Sequence, residues 1–134
     1  MSENAYTKTT KGIKITALPQ YLEDQSDPRQ GRYVWAYTIQ IHNEGRNVVK
    51  LLNRHWHITD ANGQSREVRG PGVVGKQPVL RPGEAFEYTS GVPLSTPSGI
   101  MEGEYEMALE TGDTFDALIP AFSLDSPVGN SRPN

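Results

Sequence analysis

From Tyr33 to Ile41 every second residue is large and apolar: Tyr33, Trp35, Tyr37, Ile39 and Ile41. That period of two belongs to a β-strand with one buried face. It admits no helix, because a helix would scatter those five side chains around its axis. A second run follows the turn-forming segment Asn43–Val48, with Leu52, Trp56 and Ile58 at even positions. If Asn43 pairs with Val48 across a four-residue loop, the two runs close into a hairpin. Tyr33 then faces Ile58, Trp35 faces Trp56 and Ile39 faces Leu52, and one face becomes aromatic and apolar. A slip of one residue would mismatch both faces.

The rest of the chain repeats this grammar. Thirteen glycines and ten prolines punctuate it at short intervals, as many short strands and turns require. Alternation marks further strands over 12–18, 65–69, 84–90, 103–110 and 114–124, with Pro120 at an edge or bulge. About seven strands with no room for crossover helices predict an all-β, antiparallel β-sandwich of immunoglobulin-like or fibronectin type III-like character. Tyr105 occupies the place where such sandwiches often carry a tyrosine corner. The expected organisation is a flexible N-terminal tail over 1–10, a single domain over 11–125 and a flexible C-terminal tail over 126–134.

Composition excludes several classes of function. There is no cysteine, hence no disulfide, thiolate nucleophile or Cys-ligated metal. A net charge of −3 argues against nucleic acid as a partner. No apolar run reaches the length of a membrane span, and no signal peptide is visible, so the expected location is cytoplasmic. Ser90-Gly91 and Ser98-Gly99 lack the GxSxG elbow of serine hydrolases. The expectation is a chain with no catalytic residues and no cofactor, not an enzyme.

Four features remain as candidate sites. Gly70-Pro71-Gly72-Val73-Val74-Gly75 matches GxGxxG, but that motif binds dinucleotides only ahead of a helix. Lys76-Gln77-Pro78 and Pro82-Gly83 leave no room for one. A glycine-rich loop can instead expose backbone N–H groups as an anion nest. Arg66, Arg69, Lys76 and Arg81 surround it, opposed only by Glu67. Gly70, Gly72 and Gly75 with these four basic residues form the candidate anion- or partner-binding loop; the alternative is an inter-strand loop with solvated charges.

Second, Arg54 falls on the apolar face, opposite Tyr37 in the hairpin register. Either its stem packs and its head reaches a carboxylate or water, or it is a positive group held at a ligand site. Third, His55 and His57 share one strand face, a spacing that can seat a metal. In the hairpin register His42 lies about 20 Å from them, so a third ligand would have to be a carboxylate from elsewhere; the alternative is a pair of surface or inter-sheet histidines, and no metal site is assigned. Fourth, Glu102, Glu104, Glu106, Glu110, Asp113 and Asp116 form a run without a basic residue. It reads as a solvated strand face, a loose Mg²⁺ patch or a surface that meets the basic loop of another subunit.

Long stretches of the chain resemble the bacterial ApaG family. They are Leu52-Asn53-Arg54-His55-Trp56-His57-Ile58-Thr59-Asp60, the segment Gly70–Gly75, Gln77-Pro78, Leu80-Arg81-Pro82-Gly83-Glu84, Phe86-Glu87-Tyr88, Ser90-Gly91, Thr96-Pro97-Ser98-Gly99-Ile100-Met101 and Gly103-Glu104-Tyr105-Glu106-Met107. The resemblance implies a fibronectin type III-like sandwich and an association with cobalt and magnesium resistance. It implies genes that neighbour diadenosine polyphosphate hydrolases, and a domain shared with certain eukaryotic F-box proteins, where it binds partners. It supplies no catalytic residues. Its glycine-rich stretch, here Gly70, Gly72 and Gly75, has been compared with nucleotide-binding loops. The functional expectation is a non-enzymatic binding module with protein partners or a homodimer, acting indirectly in divalent-cation homeostasis. The alternative is nucleotide or pyrophosphate binding at the glycine-rich loop.

Overall fold

The computed structural model describes residues 5–127. Among the described residues nine strands build two antiparallel sheets: β1 (Tyr6–Thr10), β2 (Ile13–Tyr21), β3 (Tyr33–Asn43), β4 (Val49–Asp60), β5 (Ser65–Pro71), β6 (Val79–Leu80), β7 (Ala85–Leu94), β8 (Ser98–Leu109) and β9 (Thr114–Asp125). One sheet has the order β1-β2-β3-β7; the other runs β5-β4-β8-β9, with β6 also paired to β4. The architecture is the expected sandwich of immunoglobulin or fibronectin type III character. All seven expected strands are present, joined by β1 and the two-residue β6. Residues Tyr6–Thr10, read as part of a tail, pair with Ala17–Ile13 of β2. At the other end Ser126 is buried and its amide donates to the Pro97 carbonyl, at 3.0 Å. Most of the expected C-terminal tail lies outside the described residues.

The hairpin of the sequence reading does not form. β3 pairs with β2 and β7, while β4 pairs with β5, β6 and β8 in the opposite sheet. The segment 44–48 is therefore an arch between sheets. Asn43, fully buried, pins it by donating from Nδ2 to the Asn47 and Leu80 carbonyls (2.7 and 2.9 Å) and accepting from the Gly45 amide (2.9 Å). The two apolar stripes do meet, but face to face across the core: the Tyr37 and Trp56 rings pack edge-on at 5.2 Å. Period-two alternation reports which face a side chain takes and is blind to whether its partner lies beside it or opposite it.

Leu52 is a second correction. Val49 and Leu51 face the core, and so do Trp56 and Ile58. The phase changes because the register against β8 shifts between Leu51 and Asn53. This bulge leaves Leu52 half-buried. Its carbonyl accepts from the Gly72 amide (2.9 Å) and from Gln77 Nε2 (2.8 Å). The bulge is thus the dock for the glycine-rich loop, which occupies the gap on β4 between β5 and β6.

The core is filled by Trp35, Tyr105, Phe122, Ile13, Ile15, Ile39, Ile41, Leu51, Met101, Met107 and Leu124. Each such side chain contributes about 1.5–3 kcal/mol by leaving water. That is enough to hold this domain without a disulfide. Tyr105 hydrogen-bonds to the Tyr88 hydroxyl across the core (2.6 Å), so its partner is another core side chain and not the loop backbone that a tyrosine corner would reach.

Candidate functional site

Three strands, β5, β4 and β8, carry a row of polar side chains on the outward face of their sheet. In the central row Arg69, His55 and Glu104 are direct cross-strand neighbours; in the next row Glu67, His57 and Glu102 are. Alternation forces this: Trp56 points inward, so His55 and His57 point out. Asn53 extends the face, donating to Glu106 Oε1 at 2.7 Å. A groove of about 500 Å³ runs along it, lined by Asn53, Arg54, His55, Arg69, Gly70, Pro71, Glu104, Glu106 and Asp116.

His55 is the hub. Its Nδ1 lies 2.6 Å from Glu104 Oε2 and its Nε2 2.7 Å from Glu67 Oε1. Carboxylates only accept hydrogen bonds, so the ring donates from both nitrogens as an imidazolium. Its pKa is raised accordingly, first by the bond to Glu104, then by that to Glu67. Glu67 is held below the ordinary carboxylate value, chiefly by His55. Glu67 also accepts from Arg69 Nη2 (3.1 Å) and stands 3.9 Å from His57 Nε2. One ligand atom each from His55, His57 and Glu67 lie within 4.8 Å of one another. These are the described residues that could hold a metal. His42 cannot join them: it sits on the outer face of the other sheet, 3.4 Å from Glu44.

Arg54, one residue before His55, turns inward. Its Nη1 donates to the carbonyls of Pro71 and Gly72, each at 3.0 Å. No carboxylate takes the guanidinium; backbone of the glycine-rich loop does, and Arg54 also lines the groove. Gly70 packs directly beneath this group: a Cβ there would meet the guanidinium at 2.9–3.0 Å and make it shift. Behind Arg54 lie Tyr37, Tyr88 and Tyr105. Their pKa values are raised, in each case first by burial, with Arg54 pulling weakly the other way.

The glycine-rich loop contains no helix. Val73 and Lys76 exchange both backbone hydrogen bonds (2.8 and 2.9 Å) around Val74-Gly75. Both turn residues have positive φ, 44° and 79°, the signature of a type I′ turn. The N–H groups of Gly72, Val73 and Lys76 thus all donate to carbonyls of the same chain. Of the seven candidate residues, Arg69 and Gly70 line the groove, and Gly72 and Gly75 shape the adjoining loop. The other three do not line this groove. Arg66 donates to the Pro93 carbonyl (3.0 Å) and lines a separate cleft of about 420 Å³ with Asp60 and Leu94. Lys76 borders a third groove beside Phe86, and the Arg81 amide is capped by Glu84 (2.9 Å).

Sequence reasoning missed Glu67 and Glu104 as partners of His55. The hairpin register placed β3 beside β4, where β5 and β8 belong. The signal was there: Glu67 and Arg69 alternate on one strand, and Glu102, Glu104 and Glu106 alternate against buried Tyr105 and Met107.

Comparison with known proteins places this geometry. The family model of the ApaG domain matches residues 23–109. The chain is 60% identical over 129 residues to Protein ApaG of Rhodospirillum centenum, covering 96% of this chain and 99% of that one. It is equally similar, over the same shares, to Protein ApaG of Paramagnetospirillum magneticum. The crystal structure of the putative ApaA protein from Bordetella pertussis superposes with a TM-score of 0.83 at 47% identity, covering 90% of this chain and 95% of that one. The C-terminal domain of wzt shares the fold alone, with a TM-score of 0.54 at 12% identity over 93% of this chain and 79% of that one. With a matched domain, near-complete coverage by close relatives and a common fold, the chain belongs to the ApaG family.

Proposed function

We propose that this chain is a non-catalytic binding module that receives a protein partner on the outer face of the β5-β4-β8-β9 sheet. On this reading it works in the cytoplasm and acts on cobalt and magnesium homeostasis indirectly, through that partner. The observation that carries the reading is the composition of the face. Glu102, Glu104, Glu106 and Asp116 give it negative charge, while Ile100 and Leu118 stand 50% and 39% exposed beside them. An apolar contact ringed by carboxylates suits a partner with a basic rim.

The chemistry of the groove agrees with binding. Its lining holds no serine, threonine, cysteine or lysine to act as a nucleophile. In the resting geometry both nitrogens of the histidine are engaged by carboxylates, so a histidine base would first have to release Glu67. No helix among the described residues is long and apolar enough to cross a membrane.

The test uses the untagged full chain as bait in lysate, beside a Glu102→Lys/Leu118→Asp variant. A stoichiometric partner should be captured by the wild type and lost with the variant. Amide shifts during titration with ATP and diadenosine tetraphosphate should stay still at Gly70–Lys76. Saturable shifts there would favour the anion-binding loop instead. Turnover of either nucleotide, lost on Arg69→Ala, would overturn the non-catalytic reading.

A further inference from the structure

We infer that His55, His57 and Glu67 form a three-ligand site for a borderline first-row divalent ion of the Zn²⁺ type. The site shares the outer face with the proposed partner surface but does not depend on a partner docking there. The contributing atoms are His55 Nε2, His57 Nε2 and Glu67 Oε1. Ligands about 2.0–2.1 Å from a tetrahedral ion lie about 3.3–3.4 Å from each other. The two measured separations to Glu67 Oε1, 2.7 Å from His55 and 3.9 Å from His57, bracket that edge. Rotation of the half-exposed Glu67 side chain closes the difference.

Three further observations favour a built site over a chance cluster. The two histidines are fixed on one strand at i, i+2, with ring centroids 4.6 Å apart, and Glu67 is on the strand hydrogen-bonded to it. The Glu104 carboxylate holds His55 Nδ1 at 2.6 Å, the carboxylate–histidine support that orients metal-ligating imidazoles. The ring is 14% exposed, whereas His57 and Glu67 are 43% and 49% exposed. An ion can therefore enter from solvent and keep a water as its fourth ligand. Two nitrogens and one oxygen select a Zn²⁺-type ion against Mg²⁺, which prefers an all-oxygen octahedron. Two features oppose binding: Arg69 Nη2 sits 3.1 Å from Glu67 Oε1 and competes with the ion for that oxygen, and the proton that His55 Nε2 donates to Glu67 must leave before that nitrogen can bind an ion.

Calorimetric titration of EDTA-stripped, tag-free full-length protein with ZnCl₂ tests this. The wild type should take up one ion per chain, and MgCl₂ should give no heat of binding. Glu104→Gln should weaken binding about 10–100-fold, and His57→Ala and Glu67→Gln by at least as much. Arg69→Ala should tighten it several-fold, a change that a merely structural network would not show. Nitrogen shifts on Zn²⁺ addition should appear at His55 and His57 and be absent at His42, which has its own glutamate on the opposite sheet. Circular dichroism of the metal-free variants should match the wild type, since the replaced side chains are half-exposed. No binding at millimolar Zn²⁺, or binding that survives both His57→Ala and Glu67→Gln, would overturn the site.

Discussion

Arg54 and His55 are consecutive on β4 and belong to opposite faces of one sheet. Both reach β5 on one side and β8 on the other. On the inner side Arg54 is half-buried, donates to two main-chain carbonyls and acts electrostatically on Tyr37, Tyr88 and its cross-strand neighbour Tyr105. Outside, His55 is satisfied by two side-chain carboxylates, both partly exposed. The inner partners are fixed by the fold and cannot exchange. The outer partners can rotate away and meet a ligand at little cost. The same strands thus use polar groups for architecture on the dry side and keep them available on the wet side. Low dielectric makes the buried tyrosine pair's bond strong and its loss expensive, whereas water reaches one of the two Arg54 bonds and screens the outer ones.

The largest effect should come from a substitution that disturbs both faces at once. Gly103 lies on β8 beside a register shift, opposite Trp56. A Cβ there would collide with the His55 carbonyl oxygen, which is backbone and cannot yield. Gly103→Ala should cost at least about 3 kcal/mol in urea unfolding. A loss under about 1 kcal/mol would mean that β8 can slide past β4, and the two faces would then not be coupled through this contact.

Next in size is the inner face alone. Arg54→Met keeps the apolar stem but leaves the Pro71 and Gly72 carbonyls without their donor. Hydrogen bonds to a charged group are worth about 1.5–3 kcal/mol, and the loss should fall in that range. It should be unchanged between low salt and 1 M NaCl, because the guanidinium's partners are neutral. Tyr88→Phe removes one bond of the tyrosine pair and should cost about 1 kcal/mol. Salt-sensitive losses in either variant would show that the inner face is wetter than its partners imply.

How far the sequence carried this picture can be read from the same residues. Alternation placed Trp35, Tyr37, Ile39, Ile41, Trp56 and Ile58 on buried faces, and each is buried. It could not reveal that β3 and β4 sit in different sheets, because an aromatic row opposite another looks the same in either arrangement. Nor could it reveal the bulge at Leu52, since an extra residue changes phase without changing composition. For the site, Arg69 and Gly70 were legible as a basic residue beside a glycine turn. Arg66, three residues earlier, was grouped with them by proximity in sequence, but an odd spacing on a strand sends it to the other face. Glu67 and Glu104 became visible only with the pairing of β5 and β8 to β4. Tyr6–Thr10 is polar apart from its tyrosine, with no apolar alternation, so nothing in its pattern advertised an edge strand.

The outer face should give the smaller responses. His55→Ala should cost no more than about 1 kcal/mol at pH 6 in low salt, and less in 1 M NaCl. The pH dependence of that difference has a definite sign. The folded pKa of His55 is raised above the ordinary 6.5 by Glu104 and Glu67. Its contribution is therefore fully present below about pH 6.5 and fades as pH rises through the folded value. Glu67 is shifted the other way, below its ordinary 4.5. Its contribution is present above that value and fades as pH falls through the folded one. The groups facing His55 are Glu67 and Arg69 on β5, Glu104 on β8 and His57 on its own strand. In EDTA, the difference in melting temperature between wild type and His55→Ala should be greatest just below neutrality and shrink toward pH 9. The corresponding difference for Arg54→Met should stay flat over that range, because the buried tyrosines remain protonated. If instead the His55 difference grows with pH, its imidazolium is not what the two carboxylates hold, and the contrast between the two faces fails at its outer half.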